Sequence, residues 1–250
     1  MQAGERHETI INLVKENNII LIGEISNTFG VSLETARRDL EALQDMGIVK
    51  RIHGGAVYVG EGSGTDVIDS YLEKKSIGIC AAKHVNNGDT LFIDVGSTTL
   101  ELARNLKSFK ELTVITNSLP VINELVNTDV HVIVLGGELR SNEQFIYNNT
   151  TEQMISNYFV DKAFFSCGGL RFDDGITDYG AVISRANIRH QSKEMILLAD
   201  SSKFGHNANI KACSLDIIDR IIVDSNISSS DLSRLRKYNF AIDIADTDTV

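Results

Sequence analysis

The sequence predicts an α/β chain in two parts, an N-terminal winged helix-turn-helix joined by a linker to a C-terminal, mostly parallel α/β sheet domain. Three observations carry this. Helical apolar spacing and a Gly-Gly hairpin fill the first 58 residues; Gly60, Gly62, Ser63 and Gly64 crowd together; and short apolar runs then alternate with amphipathic segments. The expected boundaries are 1–58 for the first domain, 59–70 for the linker and 71–250 for the second.

In the first domain, Ile10, Leu13 and Val14 recur at helical spacing, and Ile22, Ile25 and Phe29 repeat the pattern after an apolar break at Ile19 to Leu21. Gly30 supplies a tight turn and Ser32 an N-cap for a third helix, which runs to about Met46 before Gly47 stops it. Ile48 to Ile52 and Ala56 to Tyr58 then read as two short strands around His53, Gly54 and Gly55.

In the second domain, a helix over about Tyr71 to Val85 leads into apolar runs at 90–94, 112–116, 130–135, 161–166, 194–199 and 220–224. Strands of this kind, separated by helical stretches, form parallel sheets with helices on both faces and right-handed crossovers.

Composition narrows the function classes. No stretch approaches the roughly 18 uninterrupted apolar residues of a membrane helix, and the polar start lacks a signal peptide's apolar region, so a cytoplasmic protein without membrane partners is expected. Cys80, Cys167 and Cys213 are widely spaced and read as buried thiols rather than disulfides or zinc ligands. The histidines at 7, 53, 84, 131, 190 and 206 show no close ligand spacing, so no metal and no cofactor are expected. The net charge of −10 opposes nucleic-acid binding by charge alone, and residues 1–60 hold 6 Lys or Arg against 8 Asp or Glu. Any DNA-facing charge must be local.

On the third helix, Leu33, Ala36, Leu40 and Leu43 share one face and should pack inward. At 100° per residue Arg38 lies opposite, with Thr35 to one side and Arg37 on the flank. Arg38 and Thr35 are the candidate base readers, since an arginine fork binds guanine bidentately in the major groove. Ser32, Arg37, Lys50, Arg51, His53, Gly54 and Gly55 are candidates for phosphate and backbone contact. The bland alternative pairs Arg37 and Arg38 with Asp39, Glu41 or Asp45 on a solvated face. Against it stands the whole order of turn glycine, N-cap serine, inward stripe and basic hairpin. Glu34, Glu41 and Asp45 should keep non-specific DNA affinity low.

Ligands of open parallel sheets bind outside the carboxyl ends of strands. Polar residues collect at five such ends: Asp94, Gly96, Ser97, Thr98 and Thr99; Asn117 and Ser118; Gly136, Gly137, Glu138 and Arg140; Gly168 and Gly169; Asp200 and Lys203. Each alone is as readily a tight turn or a helix cap. Converging on one crevice, they would make a polar pocket. Arg140, Lys203 and the helix start at Ser97 to Thr99 suit a small phosphorylated ligand, with Asp94, Asn117, Glu138 and Asp200 available to hydroxyls.

Val31, Ser32, Thr35, Arg37, Arg38, Asp39 and Leu40, followed by Arg51, His53, Gly54, Gly55 and Ala56, resemble the N-terminal signature of the DeoR family. The likeness extends over nearly the whole chain through its glycine-rich elements and Asp200-Ser201-Ser202-Lys203. It implies a bacterial transcription regulator, usually a repressor, with a C-terminal sugar-phosphate-sensing domain. Linked binding to paired half-sites on double-stranded operator DNA then calls for a homodimer or homotetramer, with a small phosphosugar as effector. Gly175, Ile176 and Thr177 match a family segment that would set Thr177 at the pocket's border. The second domain resembles the ribose-5-phosphate isomerase and CoA-transferase type of fold, which makes an isomerase the rival reading. Asp94, Glu138, Asp200 and Lys203 are the residue types such an enzyme needs. A sensing pocket needs the same types without turnover, and no catalytic residue is assigned.

Overall fold

The computed structural model describes residues 3–17, 19–52, 54–58, 70–180 and 183–247. The expected linker, apart from Ser70, and His53 lie outside them. The chain divides into two compact units, Met1–Tyr71 and Leu72–Val250.

The first unit runs α1 (Ala3–Asn17), β1 (Ile19–Leu21), α2 (Ile22–Phe29), α3 (Leu33–Asp45), β2 (Val49–Ile52) and β3 (Gly55–Tyr58). The apolar break between the first two helices is a strand. β1 pairs antiparallel with β3, so the wing has three strands in the order β1-β3-β2. Three residues are too few to show the alternation by which a strand is read from sequence. Gly30 closes α2 in the left-handed region at φ 63°, and its N–H bonds the Ser26 carbonyl. Ile10, Val14, Ile25, Ala36, Leu40, Leu43 and Val49 form the core of this unit.

Leu33, expected on the inward stripe, is instead 50% exposed. The buried set is Ala36, Asp39, Leu40 and Leu43, and at 100° per residue its centre lies roughly 70° from Leu33. Asp39 displaces the stripe toward its own side, because its carboxylate has partners on α1.

The second unit begins with α4 (Tyr71–Ala82), β4 (Thr90–Ile93), α5 (Ser97–Arg104), β5 (Thr113–Thr116), α6 (Leu119–Leu125) and β6 (His131–Val134). A hairpin of β7 (Leu139–Arg140) and β8 (Phe145–Ile146) precedes α7 (Asn149–Ile155) and β9 (Val160–Phe165). Then come β10 (Gly169–Arg171), β11 (Gly175–Asp178), α8 (Arg185–Gln191), β12 (Ser192–Leu198), β13 (Ile210–Cys213), β14 (Arg220–Asp224), α9 (Ser229–Leu235) and β15 (Ala241–Ala245).

Seven strands form one wholly parallel sheet in the order β15-β14-β12-β9-β4-β5-β6. Alternate residues feed two apolar layers, as a period of two requires. Phe92, Ile115, Phe165 and Leu197 pack with Ile155, Ile188 and Leu235 of α7, α8 and α9. Leu91, Ile93, Val114, Phe164 and Ile196 pack with Ile77, Leu102 and Val121 of α4, α5 and α6. β10, β11 and β13 make a separate antiparallel sheet. Of the three cysteines only Cys167 is buried; Cys80 and Cys213 are partly exposed, and all three are free thiols.

Strand order reverses between β4 and β9: the chain goes from β4 outward through β5 and β6, then from β9 outward through β12, β14 and β15. The helices that follow pack on opposite faces of the sheet, α5 with α4 and α6 and α8 with α7 and α9, so the carboxyl ends of β4 and β9 mark its switch point.

In the wing, a Cβ on Gly55 would fall on the Ile20 carbonyl oxygen of β1. Gly55→Ala is therefore expected to part β1 from β3 and cost roughly 1–3 kcal/mol. Chemical denaturation of the two proteins measures the difference.

Candidate nucleic-acid interface and ligand site

Ser32 caps α3, its Oγ accepting the Thr35 N–H at 3.1 Å. The same oxygen lies 2.9 Å from Thr35 Oγ1, so the Thr35 hydroxyl is already engaged with the cap. Arg37 and Arg38 project outward with side chains 50% and 75% exposed, each facing Glu34 at 3.6 and 3.5 Å. Such long, solvated pairs contribute little and exchange readily for another anion. Asp39, a suggested partner for these arginines, points the other way and is buried against Arg6. Glu41 is taken by Arg51, whose Nη1 approaches Oε1 at 2.6 Å, while the Arg51 N–H is held by Gln44 Oε1 at 3.0 Å. Lys50 is exposed on β2, and no carboxylate pairs with it among the described residues. Gly54, at φ 79°, turns the wing, and its carbonyl accepts the Ile22 N–H at 2.8 Å.

In the second unit, Asp94 and Asn117 end neighbouring strands, since Ile93 pairs with Thr116. Ser166 follows β9 on the other side of β4, and its hydroxyl donates to the Val95 carbonyl at 3.3 Å. Gly96, at φ 157°, begins α5 where a Cβ would collide with Ser166 Oγ. Thr99 donates its hydroxyl to the Asp94 and Gly96 carbonyls at 2.8 and 2.9 Å, fixing the turn beneath the helix start. Ser97 is exposed there, and Thr98 is buried. The α5 N-terminus thus stands at the switch point of the sheet, where unpaired N–H groups and the helix dipole favour an anion.

A charge cluster at this end includes a residue that sequence reasoning missed. Arg185 is fully buried, 2.5 Å from Asp94 and 3.4 Å from Asp178, with its guanidinium carbon 4.9 Å from the Phe165 ring centroid. Its Nε lacks a hydrogen-bond partner. Burial pushes Asp178 up to about 6, with Asp94 adding to the rise and Arg185 opposing it. The one sequence signal was Arg185 at the start of a helix directly after a capping Ser184. Burial also pushes the Cys167 thiol well up and the Cys213 thiol to about 11, so neither is a nucleophile near neutral pH.

The remaining expected residues divide by role. Asn117 donates Nδ2–H to the Ile146 carbonyl at 2.8 Å while its buried Oδ1 has no partner. Ser118 is buried, its N–H held by Thr116 Oγ1 at 3.1 Å. Asp200 is buried; Oδ1 accepts from the Ser202 N–H at 3.1 Å and from the Ser202 hydroxyl, and Oδ2 has no partner. Lys203 follows in the same turn, half-buried, with no carboxylate paired to it among the described residues. Thr177 has its hydroxyl consumed, donating to the Gly169 carbonyl at 3.2 Å and accepting the Ala208 N–H at 2.8 Å. Gly168 lies under the Tyr179 ring. The Gly136 carbonyl accepts the Thr151 hydroxyl at 2.7 Å, and Gly137 packs closely on the same side chain. Glu138 and Arg140 are exposed at the hairpin beyond β6, about 10 Å across the sheet from β4 at the usual strand spacing. The structure therefore gathers Asp94, Gly96, the α5 start and Asn117 with Arg185 and Asp178. Asp200 and Lys203 stand two strands along from β4, and Glu138 and Arg140 at the rim.

Residues 6–61 match the DeoR-like helix-turn-helix domain and residues 69–225 the DeoR C terminal sensor domain. The chain belongs to the DeoR family. It is 32% identical to the glycerol-3-phosphate regulon repressor of Escherichia coli K12, covering 98% of this chain and 100% of that protein. The HTH-type transcriptional repressor GlcR of Bacillus subtilis is 32% identical over 90% of this chain and 89% of its own. Among solved structures, ribose 5 phosphate isomerase A from Neisseria gonorrhoeae aligns with a TM-score of 0.40 at 15% identity, over 55% of each chain. This DeoR-family chain has no group of three or more His, Cys, Asp or Glu residues suited to a metal ion among its described residues. Nor is any described helix long and apolar enough to cross a membrane.

Asp178 binds its proton more tightly in the fold than its ordinary carboxyl value of 3.8 would allow, so the stability linked to it is present at low pH. It is lost as pH rises through about 6. Asp178→Asn, which keeps the site neutral, is expected to gain on the wild type by about 1 kcal/mol more at pH 8 than at pH 5. Thermal melting at both pH values checks this; a pH-independent difference would refute it.

Proposed function

We propose that this DeoR-family chain is a DNA-binding transcriptional repressor of an operon for a sugar or sugar derivative, relieved when a phosphorylated sugar binds its second unit. The observation that carries the DNA reading is the division of α3: one face closed into the core, the other presenting Arg37 and Arg38, with Lys50 exposed on the wing. A helix presented in this way is the reader of a winged helix-turn-helix, with base contacts near its N-terminal half and phosphate contacts from the wing. Arg38 is the base reader; Arg37, Lys50 and Arg51 hold phosphates, Arg51 after leaving Glu41. Thr35 acts chiefly through the cap it shares with Ser32.

The ligand reading rests on the α5 N-terminus at the switch point, where the anion would sit, with hydroxyl groups answering the unpartnered Asn117 and Asp200 oxygens. Lys203 supplies positive charge from the turn after β12 that it shares with Asp200. The names of the relatives, repressors of glycerol-3-phosphate and other regulons, agree with a small phosphorylated polyol or sugar. The pocket binds without turnover, the protein acts in the cytoplasm, and a homodimer or homotetramer brings two heads to paired half-sites.

Arg38→Ala is expected to relax base preference by roughly 1–3 kcal/mol at one position, whereas Lys50→Ala weakens binding to all duplexes alike and lowers the salt slope by about one. Mobility or anisotropy titrations at several salt concentrations separate the two. Wild-type behaviour of both variants would sink the reader assignment. In a thermal-shift screen against phosphorylated sugars, the cognate ligand at 100 times its Kd should stabilise by about 2.7 kcal/mol. Lys203→Ala should lose that shift while keeping operator binding. Conversion of any ligand in the screen to product would overturn the non-catalytic reading.

A further inference from the structure

The placement of α3 depends on one buried charge that the DNA reading leaves unexplained. Asp39 is 4% exposed on the face that α3 turns to the core. Its carboxylate accepts the Arg6 guanidinium at both oxygens, from Nε at 2.6 Å and from Nη2 at 2.8 Å, and His7 Nε2 lies 2.9 Å from Oδ1. Burial works to raise the Asp39 carboxyl, but Arg6 and His7 outweigh it and hold the group below its ordinary range, so it stays ionised.

Stability alone does not account for such an arrangement. A buried ion pair is often matched or bettered by apolar side chains of similar size. What apolar contacts lack is direction. Ala36, Leu40 and Leu43 would tolerate a small roll of α3 about its axis, whereas a planar fork gripping a carboxylate at two oxygens does not. Asp39 directly follows Arg38 in the chain, so the two side chains leave the helix about 100° apart. At the helix's outer radius of about 5–6 Å, a roll of ~20° carries a side chain by ~2 Å. That is enough to break a bidentate contact to a base.

We propose that Arg6, with His7 beside it, is a positioning residue for sequence reading: it clamps Asp39 and thereby sets the roll at which α3 presents Arg37 and Arg38. The inference rests on the DNA reading above and adds to it a residue on α1, on the far side of α3 from the reading face. It separates discrimination from affinity. Contacts to the phosphates, which every duplex offers, tolerate a small roll; contacts to base edges do not.

The test uses the full chain, a duplex that the wild type selects from a randomised pool, and a scrambled duplex of equal length and composition. Arg6→Met/Asp39→Leu replaces the clamp by an apolar pair. The expected result is a melting temperature near that of the wild type, unchanged affinity for the scrambled duplex, and a selected-to-scrambled ratio at least tenfold lower. A wild-type ratio in this variant would overturn the proposal, because the clamp would then be only a core filler. Arg6→Lys, which keeps the charge and loses the fork, should lower the ratio as well, and decides the matter if the apolar pair does not fold. Retention of the wild-type ratio by Arg6→Lys in a folded protein likewise overturns it. A wild type that selects no duplex at all would overturn the DNA reading and the clamp with it. A discriminating wild type whose variants discriminate equally overturns the clamp alone.

Discussion

A parallel sheet covered by helices on both faces leaves a polar side chain no place along its strands except their ends. That constraint arranges most of the second unit. Strands β4, β5, β9, β12 and β14 are apolar on both sides and buried in two layers, so the residues that can meet a ligand are those just past the last hydrogen-bonded pair. The reversal of strand order between β4 and β9 then selects among these ends, because there the chain goes on to opposite faces of the sheet.

Burying charge at such a place demands pairing, and the cluster around Arg185 shows how the demand is met. Asp94 balances the guanidinium closely, and Asp178 stands farther off and holds its proton up to about pH 6. The unpartnered oxygens of Asn117 and Asp200 belong to the same economy of polar groups: each is costly when dry and satisfied by a hydroxyl.

The first unit meets the same problem with an opposite emphasis. Its net charge is not basic, so positive groups must be aimed rather than accumulated. Glu34 and Glu41 occupy Arg37, Arg38 and Arg51 in the free protein and weaken attraction to any phosphate chain. On the proposed DNA reading, discrimination depends on where α3 places its few cations, which gives weight to the Arg6 and Asp39 contact beneath it.

Much of this was legible in the residues themselves. Turn glycine, N-cap serine and wing glycines act within a few residues of their own position, and long apolar runs report burial directly, so the helix-turn-helix and six of the seven parallel strands were expected in place. β15 was missed because Ala241 to Ala245 is a half-exposed edge strand that mixes Asp243 among apolar residues, and β1 because three residues show no period. Leu33 was set inward because spacing alone counts apolar residues and does not weigh a buried aspartate. The sequence by itself determined the local elements, the fold class and the candidate polar strand ends, all of which depend on short-range spacing. Tertiary structure alone decided which of those ends adjoin, that Thr177 is spent on its own small sheet, and that Arg185 and Arg6 each find a buried carboxylate. Those pairings join residues separated by 7 to 91 positions, and no local pattern records a contact that only the folded chain makes.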